Sequence, residues 1–359
     1  MKYRNKLLYI GILLILAIGI RLYSASDIRV EEGYSIGMYG NIVAVLRWLF
    51  GWLPFSIGDL LYGIAVIWLL WKLVKLVKTG LRRKATREGF VNGVLKAVTI
   101  ILLLYIFFNG LWGINYNRKG IAYQLGLKMD KYSLDDLKNI NAVLLIKVNA
   151  AKQSLINNKT GYPSSPQLFA QVKTNYENID SLYPFLKYSH QSLKSSLWGW
   201  MGNYMGFTGY YNPFTGEAQV NTTVPKFLQP YTACHEVAHQ LGYAKEMEAN
   251  FVGYLAASKS ADTLFQYSVY LDLFLYSNRN LRNSDSSVAK SYSQQLLPEI
   301  KDDLLEWRNF NRKHRNPVEP VIRWMYGKYL ESNQQPQGVL SYDEVTSFLI
   351  AYYKKFGKI

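Results

Sequence analysis

The chain has 359 residues, 49% of them hydrophobic, and its 41 Lys and Arg against 25 Asp and Glu give a formal net charge of +16. That length accommodates a membrane unit and one domain with a substantial core. The single cysteine, Cys234, excludes an intramolecular disulfide framework and a cysteine-rich zinc site.

The N-terminal third, residues 1–115, reads as a membrane region. Leu7 to Tyr23 is almost wholly apolar and follows the basic start Met1-Lys2-Tyr3-Arg4-Asn5-Lys6. Two further apolar stretches approach the ~20 residues that a span needs. Three transmembrane helices are therefore expected, at about 7–23, 58–77 and 94–114. The first lacks a clear small-x-small cleavage site before polar sequence; Ser24-Ala25-Ser26 keeps a cleaved signal peptide open, and a retained anchor is the expectation. Residues 36–50, with Arg47 and Trp48, form a weaker amphipathic stretch expected at the interface or against the spans.

Charge sets the expected orientation. Lys72, Lys75, Lys78, Arg82, Arg83, Lys84, Arg87 and Lys96 flank the second and third spans, opposed only by Glu88. A short loop this basic should stay cytoplasmic. With three spans, residues 116–359 then form an extracytoplasmic domain of a multi-pass protein in a bacterial cytoplasmic membrane. Residues 1–120 hold 16 Lys and Arg against 5 Asp and Glu, so most of the excess charge is this topology signal. No zinc finger, phosphate-binding glycine loop or RNA-binding motif accompanies it, and no nucleic-acid partner is expected. The expected partners are the lipid bilayer and a peptide or protein substrate.

The domain reads as α+β, mainly α with a small β-sheet. Ser133-Leu134-Asp135-Asp136 resembles a cap and acidic first turn for a helix running through the 150s. Gly161 to Pro166 breaks it, and a second helix is expected over about 167–187. Residues 209–221 suggest two strands joined by a turn containing Asn212-Pro213. An edge strand there would suit pairing with an extended peptide, while an aromatic hairpin covering the core is an equal reading. Trp198 and Trp200 suit a membrane interface. From Pro225 onward further helices are expected near 262–276, 284–296, 298–312, 317–331 and 341–356, their aromatic residues at helical spacing and hence in the core.

Chemistry concentrates in Cys234-His235-Glu236-Val237-Ala238-His239-Gln240-Leu241-Gly242. On a helix, residues four apart share a face, about 40° out of register, so His235 and His239 can point at one ion. Glu236, one step around, can reach a water on that ion. Gly242 suits a left-handed helix cap, and an apolar helical pattern resumes at Lys245. Glu246 and Asn250 then share a face of the second helix. Glu246 and Glu248 lie about 200° apart and cannot both face the metal. Glu248 has Phe251 and Val252 at its +3 and +4 positions and could pair with Lys245 at solvent. Glu246 is the preferred third ligand, with Asn250 steadying a histidine from behind. The residues thus suggest a catalytic zinc site with a fourth position for water and Glu236 as general base.

HExxH followed by Glu246-x-x-x-Asn250 resembles the gluzincin metallopeptidases, in which the glutamate ligates zinc and the residue four later supports a histidine. Glu246-Met247-Glu248-Ala249-Asn250 is similar to the CAAX-processing, HtpX-like and ImmA/IrrE peptidases. Six residues separate His239 from Glu246, fewer than in longer gluzincins, and Lys245 stands where metzincins place a third histidine. Over most of its length the chain is similar to the bacterial DUF3810 family, with N-terminal spans followed by a domain carrying HExAHxxG and ExEAN. The resemblance implies a zincin-like metallopeptidase domain.

An oxyanion donor is also required. His314, Arg323 and Tyr342 are candidates, and His190 reads as structural. The expected function is a membrane-anchored zinc metallopeptidase. The alternative is a non-catalytic zinc-binding envelope scaffold or sensor, against which the presence of Glu236 argues.

Overall fold

The structure is a computed structural model that describes residues 3–81, 86–342 and 344–359. Arg82, Arg83 and Lys84 of the basic loop lie outside the described residues. Among the described residues, three helices are long and apolar enough to cross a membrane: α1 (Arg4–Tyr23), α4 (Ile57–Leu81) and α5 (Arg87–Leu111). Their apolar side chains are largely exposed, as a lipid-facing surface requires. Between α1 and α4 lie the short α2 (Asp27–Arg29), a wide π turn at Val30–Ile36 and α3 (Tyr39–Phe50).

α1 and α5 run side by side, tied at one end by Lys6 Nζ to Asn92 Oδ1 at 2.6 Å. At the other end the Tyr34 hydroxyl donates to the Gly110 carbonyl at 3.0 Å. The end of α1, the start of α4 and the end of α5 therefore all meet the rest of the chain. The third apolar run stops short of the expected boundary: α5 ends at Leu111, and Trp112 and Ile114 are buried in a second core with Tyr34, Tyr39 and Ala244. The apolar residues that extended the run bury against protein instead.

The amphipathic stretch packs inward as well. In α3, Arg47 is buried with its guanidinium over the Tyr188 ring at 5.2 Å. α4 begins at Ser56, whose Oγ accepts from Asp59 N at 3.0 Å, and Glu217 accepts from Gly58 N at 2.6 Å. A carboxylate at these free N–H groups favours the helix start. Lys194 balances that charge, its Nζ 2.5 Å from Glu217 Oε1. The sheet is thereby clamped onto the first turn of a helix long and apolar enough to span.

The remaining helices are α6 (Gly120–Gln124), α7 (Leu134–Asn157), α8 (Ser165–Asp180), α9 (Gly199–Met205), α10 (Gln229–Gln240), α11 (Glu246–Ser258), α12 (Thr263–Ser284), α13 (Ser286–Gln294), α14 (Pro298–His314), α15 (Glu319–Ser332) and α16 (Val345–Phe356). Ser133 and Asp136 form the full capping box of α7. α7 and α12 pack along each other, and α10 and α11 sit at the centre of the main core.

The sheet has three strands in the order β1-β3-β2: β1 (Leu193–Ser195), β2 (Gly209–Asn212) and β3 (Glu217–Val220). β3 pairs antiparallel with β2, Gly209 opposite Val220, and parallel with β1. The turn between β2 and β3 closes through Asn212 Oδ1, which accepts from Phe214 N at 2.9 Å. The expected hairpin is thus present, joined by a third strand that the sequence did not signal. β3 lies on α10, and Gln240 fastens the two by donating to the carbonyls of Ser192 and Gly216.

Candidate metal centre

All residues of α10 are buried. A helix buried all round should be apolar, because an unpaired buried polar group costs several kcal/mol. Most polar residues of α10 meet that demand with ordinary partners. Gln229 donates to Thr222 and Val224 carbonyls, and Thr232 back-bonds to Leu228. His235 and His239 instead turn their rings toward one carboxylate of the next helix, and Glu236 lines the cavity beside them.

Two features end the helix and turn the chain back. Gly242 adopts φ +85, the left-handed cap, and Tyr243 N donates to the Ala238 carbonyl at 3.2 Å. Trp112 Nε1 donates to the His239 carbonyl at 3.1 Å and the Tyr39 hydroxyl to the Gln240 carbonyl at 2.9 Å. The last carbonyls of α10 are thus satisfied from the membrane-proximal core.

The turn also orients a ring. His239 Nδ1 lies 2.8 Å from the Tyr243 carbonyl, so Nδ1 carries the proton and Nε2 keeps its lone pair for the centre. Behind it, Arg118 donates to the Gly242 carbonyl at 3.2 Å and pairs with Glu31 at 2.7 Å. Glu31 also accepts from Gly120 N and Gln124, so Glu31 and Arg118 form a buried, saturated pair.

α11 supplies the third group. Glu246 Oε2 lies 3.2 Å from His235 Nε2 and 3.5 Å from His239 Nε2. One atom from each of the three residues falls within 4.8 Å of the others, an arrangement that could hold a metal ion. Asn250, one turn on from Glu246, accepts from the Tyr231 hydroxyl, and its influence on the His235 ring opposes the downward push of burial there. Glu248 points the other way. It is buried rather than at solvent, 4.0 Å from Lys245 Nζ, and faces the Cα of Gly120. The pairing with Lys245 is there, but the packing of α6 over α11 encloses it.

Burial raises the cost of the Glu246 charge, yet the two imidazoles outweigh it and hold the carboxyl well below its usual range. For His239, burial acts downward and the Glu246 carboxylate more than offsets it, raising the ring to about 9. Burial, helped by the Glu246 carboxylate and opposed by His239, pushes Glu236 up to about 8. His235 moves the other way, its pKa lowered by burial. The Oε2 atoms of Glu236 and Glu246 are both buried and without a hydrogen-bond partner. A divalent cation at the shared point fits this donor set of two imidazole nitrogens and a carboxylate oxygen.

The centre opens on a cavity of about 320 Å³ lined in part by Tyr62, Phe108, Gly209, Tyr211, Tyr326 and Tyr329. Gly209 sits directly under Glu236. A Cβ there would lie 2.5 Å from Glu236 Oε1, so glycine at the head of the β2 edge strand leaves room for the carboxylate. Tyr326 donates to Glu246 Oε1 at 2.6 Å. The helical spacing of α15 suggested a core tyrosine; Tyr326 instead faces the cavity, and only the long-range docking of α15 reveals it. Tyr62 and Phe108 belong to α4 and α5, so the ends of two candidate spans form part of the wall.

Of the side chains named for an oxyanion or structural role, His314, Arg323 and His190 do not line this cavity. His314 stacks edge-on with Tyr204 and bonds the Phe310 carbonyl. Arg323 is exposed and pairs with Glu319 at 3.4 Å. His190 is exposed at φ +54, and the side chain of Tyr342 lies outside the described residues. Cys234 is buried and packs in the main core.

No curated protein and no solved structure matches the chain. Residues 34–350 match the family described as "Protein of unknown function (DUF3810)", a span that takes in α3, two of the three apolar helices, the sheet and the whole histidine-glutamate centre, and the chain belongs to that family.

Proposed function

We propose that this protein is a membrane-anchored, zinc-dependent metallopeptidase of gluzincin type, its zincin-like domain on the extracytoplasmic side of the bacterial cytoplasmic membrane. The observation that carries the reading is Glu236. Its unpartnered Oε2 lies in the same cavity as the three converging donor atoms of His235, His239 and Glu246. A structural zinc site is closed by four protein ligands and has no use for a free carboxylate beside it.

His235 and His239 would hold zinc through Nε2 and Glu246 through Oε2, with Asn250 and the Tyr243 carbonyl fixing the two rings. When bound, zinc supplies Lewis acidity toward a carbonyl and lowers the pKa of water. Glu236 accepts the proton of the attacking water and returns it to the leaving amine. The edge of β2 gives an extended peptide a backbone to pair with beside Glu236. Tyr211, on the cavity wall, carries a hydroxyl that could serve developing negative charge.

Three apolar helices whose like ends meet the domain support the multi-pass topology, and the basic residues between α4 and α5 support the extracytoplasmic side. The test is hydrolysis of a peptide mixture by the purified full-length protein carrying stoichiometric zinc, beside Glu236→Gln. Glu236→Gln should retain zinc and lose activity by about 10²-fold or more. Full zinc occupancy with no hydrolysis by either protein would mean a scaffold or sensor.

A further inference from the structure

The cavity at the metal centre does not end there. A second, larger cavity of about 510 Å³ continues from it and shares Tyr62, Phe207, Tyr210, Tyr211 and Tyr326 as common wall. It runs between α9 and the span α4, reaching Val66 and Ile67 on one side and Met201 and Met205 on the other. Ile67 lies ten residues into α4, so at 1.5 Å per residue the groove descends about 15 Å along a membrane-spanning helix.

Its surface is almost without hydrogen-bonding capacity. Ser196 and Tyr210 bond each other at 2.7 Å, and Tyr210 also bonds Asp59. Asn221 donates to the carbonyls of Gly199 and Phe207. Tyr211 meets Tyr39, and Tyr326 meets Glu246. What faces the groove is hydrocarbon and aromatic ring. A peptide backbone would leave its N–H and C=O groups unpaired there. An alkyl chain would leave nothing unpaired.

The wall toward the bilayer is also open. Val66 and Ile67 are 54% and 69% exposed on a surface that a membrane would cover. A chain in the lipid phase could therefore enter laterally without crossing water.

We propose that this groove is the alkyl-chain subsite of the metal centre, and that the substrate is a lipid-modified peptide or protein. Its acyl chain lies between α4 and α9 while its peptide crosses the centre along β2. The proposal rests on the peptidase reading for the reaction, but the chain subsite is a property of the groove alone. The arrangement places the scissile bond close to the lipid anchor and at the membrane surface, because the same tyrosines wall both cavities.

The experiment uses the full-length Glu236→Gln protein in phosphatidylcholine nanodiscs. Short randomised peptides bearing an N-terminal hexadecanoyl chain with a diazirine are photo-crosslinked, and the adducts are mapped by mass spectrometry. Adducts are expected on α4 residues 63–67 and α9 residues 201–205, removed by excess unlabelled acyl-peptide. Met201→Trp and Val66→Trp fill the groove from opposite walls and should cut capture about tenfold. Adducts spread equally over the lipid faces of α1 and α5 would overturn the subsite. Equal capture of a diazirine phosphatidylcholine would reduce it to a structural lipid site only, and so would overturn it as well.

Hydrolysis separates the two readings. The native protein should prefer hexadecanoyl over acetyl peptides by about tenfold or more in kcat/KM, and Met201→Trp should bring that ratio toward one. Capture in the groove without hydrolysis of any peptide defeats the peptidase reading and leaves the subsite standing. Equal hydrolysis of both peptides with no capture in the groove defeats the subsite and leaves the peptidase standing.

Discussion

Tyr326 donates its hydroxyl proton to Glu246 Oε1 at 2.6 Å, while Oε2 of the same carboxylate faces His235 and His239. One oxygen is thus held from α15 so that the other is presented to the centre. Groups that orient a metal ligand from behind are typically worth 10–100-fold in affinity. Tyr326→Phe is expected to weaken zinc binding by about that factor in a competitive chelator titration, with the helical content unchanged. Unaltered affinity would show that Tyr326 merely fills space.

The two glutamates of α11 should separate cleanly. Glu246→Gln removes the carboxylate that converges with the histidines and is expected to release zinc. Glu248→Gln, on the opposite side against Gly120 and Lys245, should retain zinc and change only thermal stability. Metal content after dialysis decides it, and loss of zinc from the Glu248 variant alone would transfer the ligand role.

Gly209 is expected to tolerate no side chain. A Cβ at this position would lie 2.5 Å from Glu236 Oε1 and 2.8 Å from its Cγ, so Gly209→Ala must rotate the carboxylate out of place. Displacing a catalytic group by about 1 Å can cost about 10²-fold. Peptide hydrolysis should fall by that order while zinc content and unfolding temperature stay close to native.

The Glu31–Arg118 pair gives a pH signature away from the candidate metal centre. Burial acts to raise the Glu31 pKa, but Arg118 and the hydrogen bonds from Gly120 and Gln124 outweigh it and leave it lowered. A group whose folded pKa is depressed contributes stability above its unfolded pKa, near 4.5, and loses it as pH falls through the folded value. Native protein should therefore become less stable below about pH 4.5, and Glu31→Gln should flatten that part of the profile. At neutral pH the same variant leaves Arg118 buried without its partner, a loss of about 3–5 kcal/mol. Thermal unfolding in detergent across pH reads both effects.

Much of the candidate site was legible because it is local. His235, Glu236 and His239 lie within five consecutive residues, and one helical turn fixes their relative directions whatever surrounds them. Glu246 and Asn250 follow the same rule on the next helix. The hairpin and the α7 capping box were equally local, set by Asn212 and by Ser133 with Asp136. The end of the third span was misplaced by three residues because hydropathy cannot distinguish lipid from protein as the cover for Trp112 and Ile114. The burial of Glu248 escaped for the same reason: its cover comes from Gly120, more than a hundred residues away.

By itself the sequence determined the donor set, the three apolar helices and the mainly helical domain, since each follows from spacing or composition within a short window. Only the tertiary structure placed Tyr326 behind Glu246, Gly209 beneath Glu236 and the β1 strand beside β3. It alone joined the ends of α4 and α5 to the wall of the metal cavity. Those relationships depend on which distant surfaces meet, and that is decided by the burial of whole faces and the pairing of Lys194 with Glu217 and Arg118 with Glu31. No short window of sequence contains both partners.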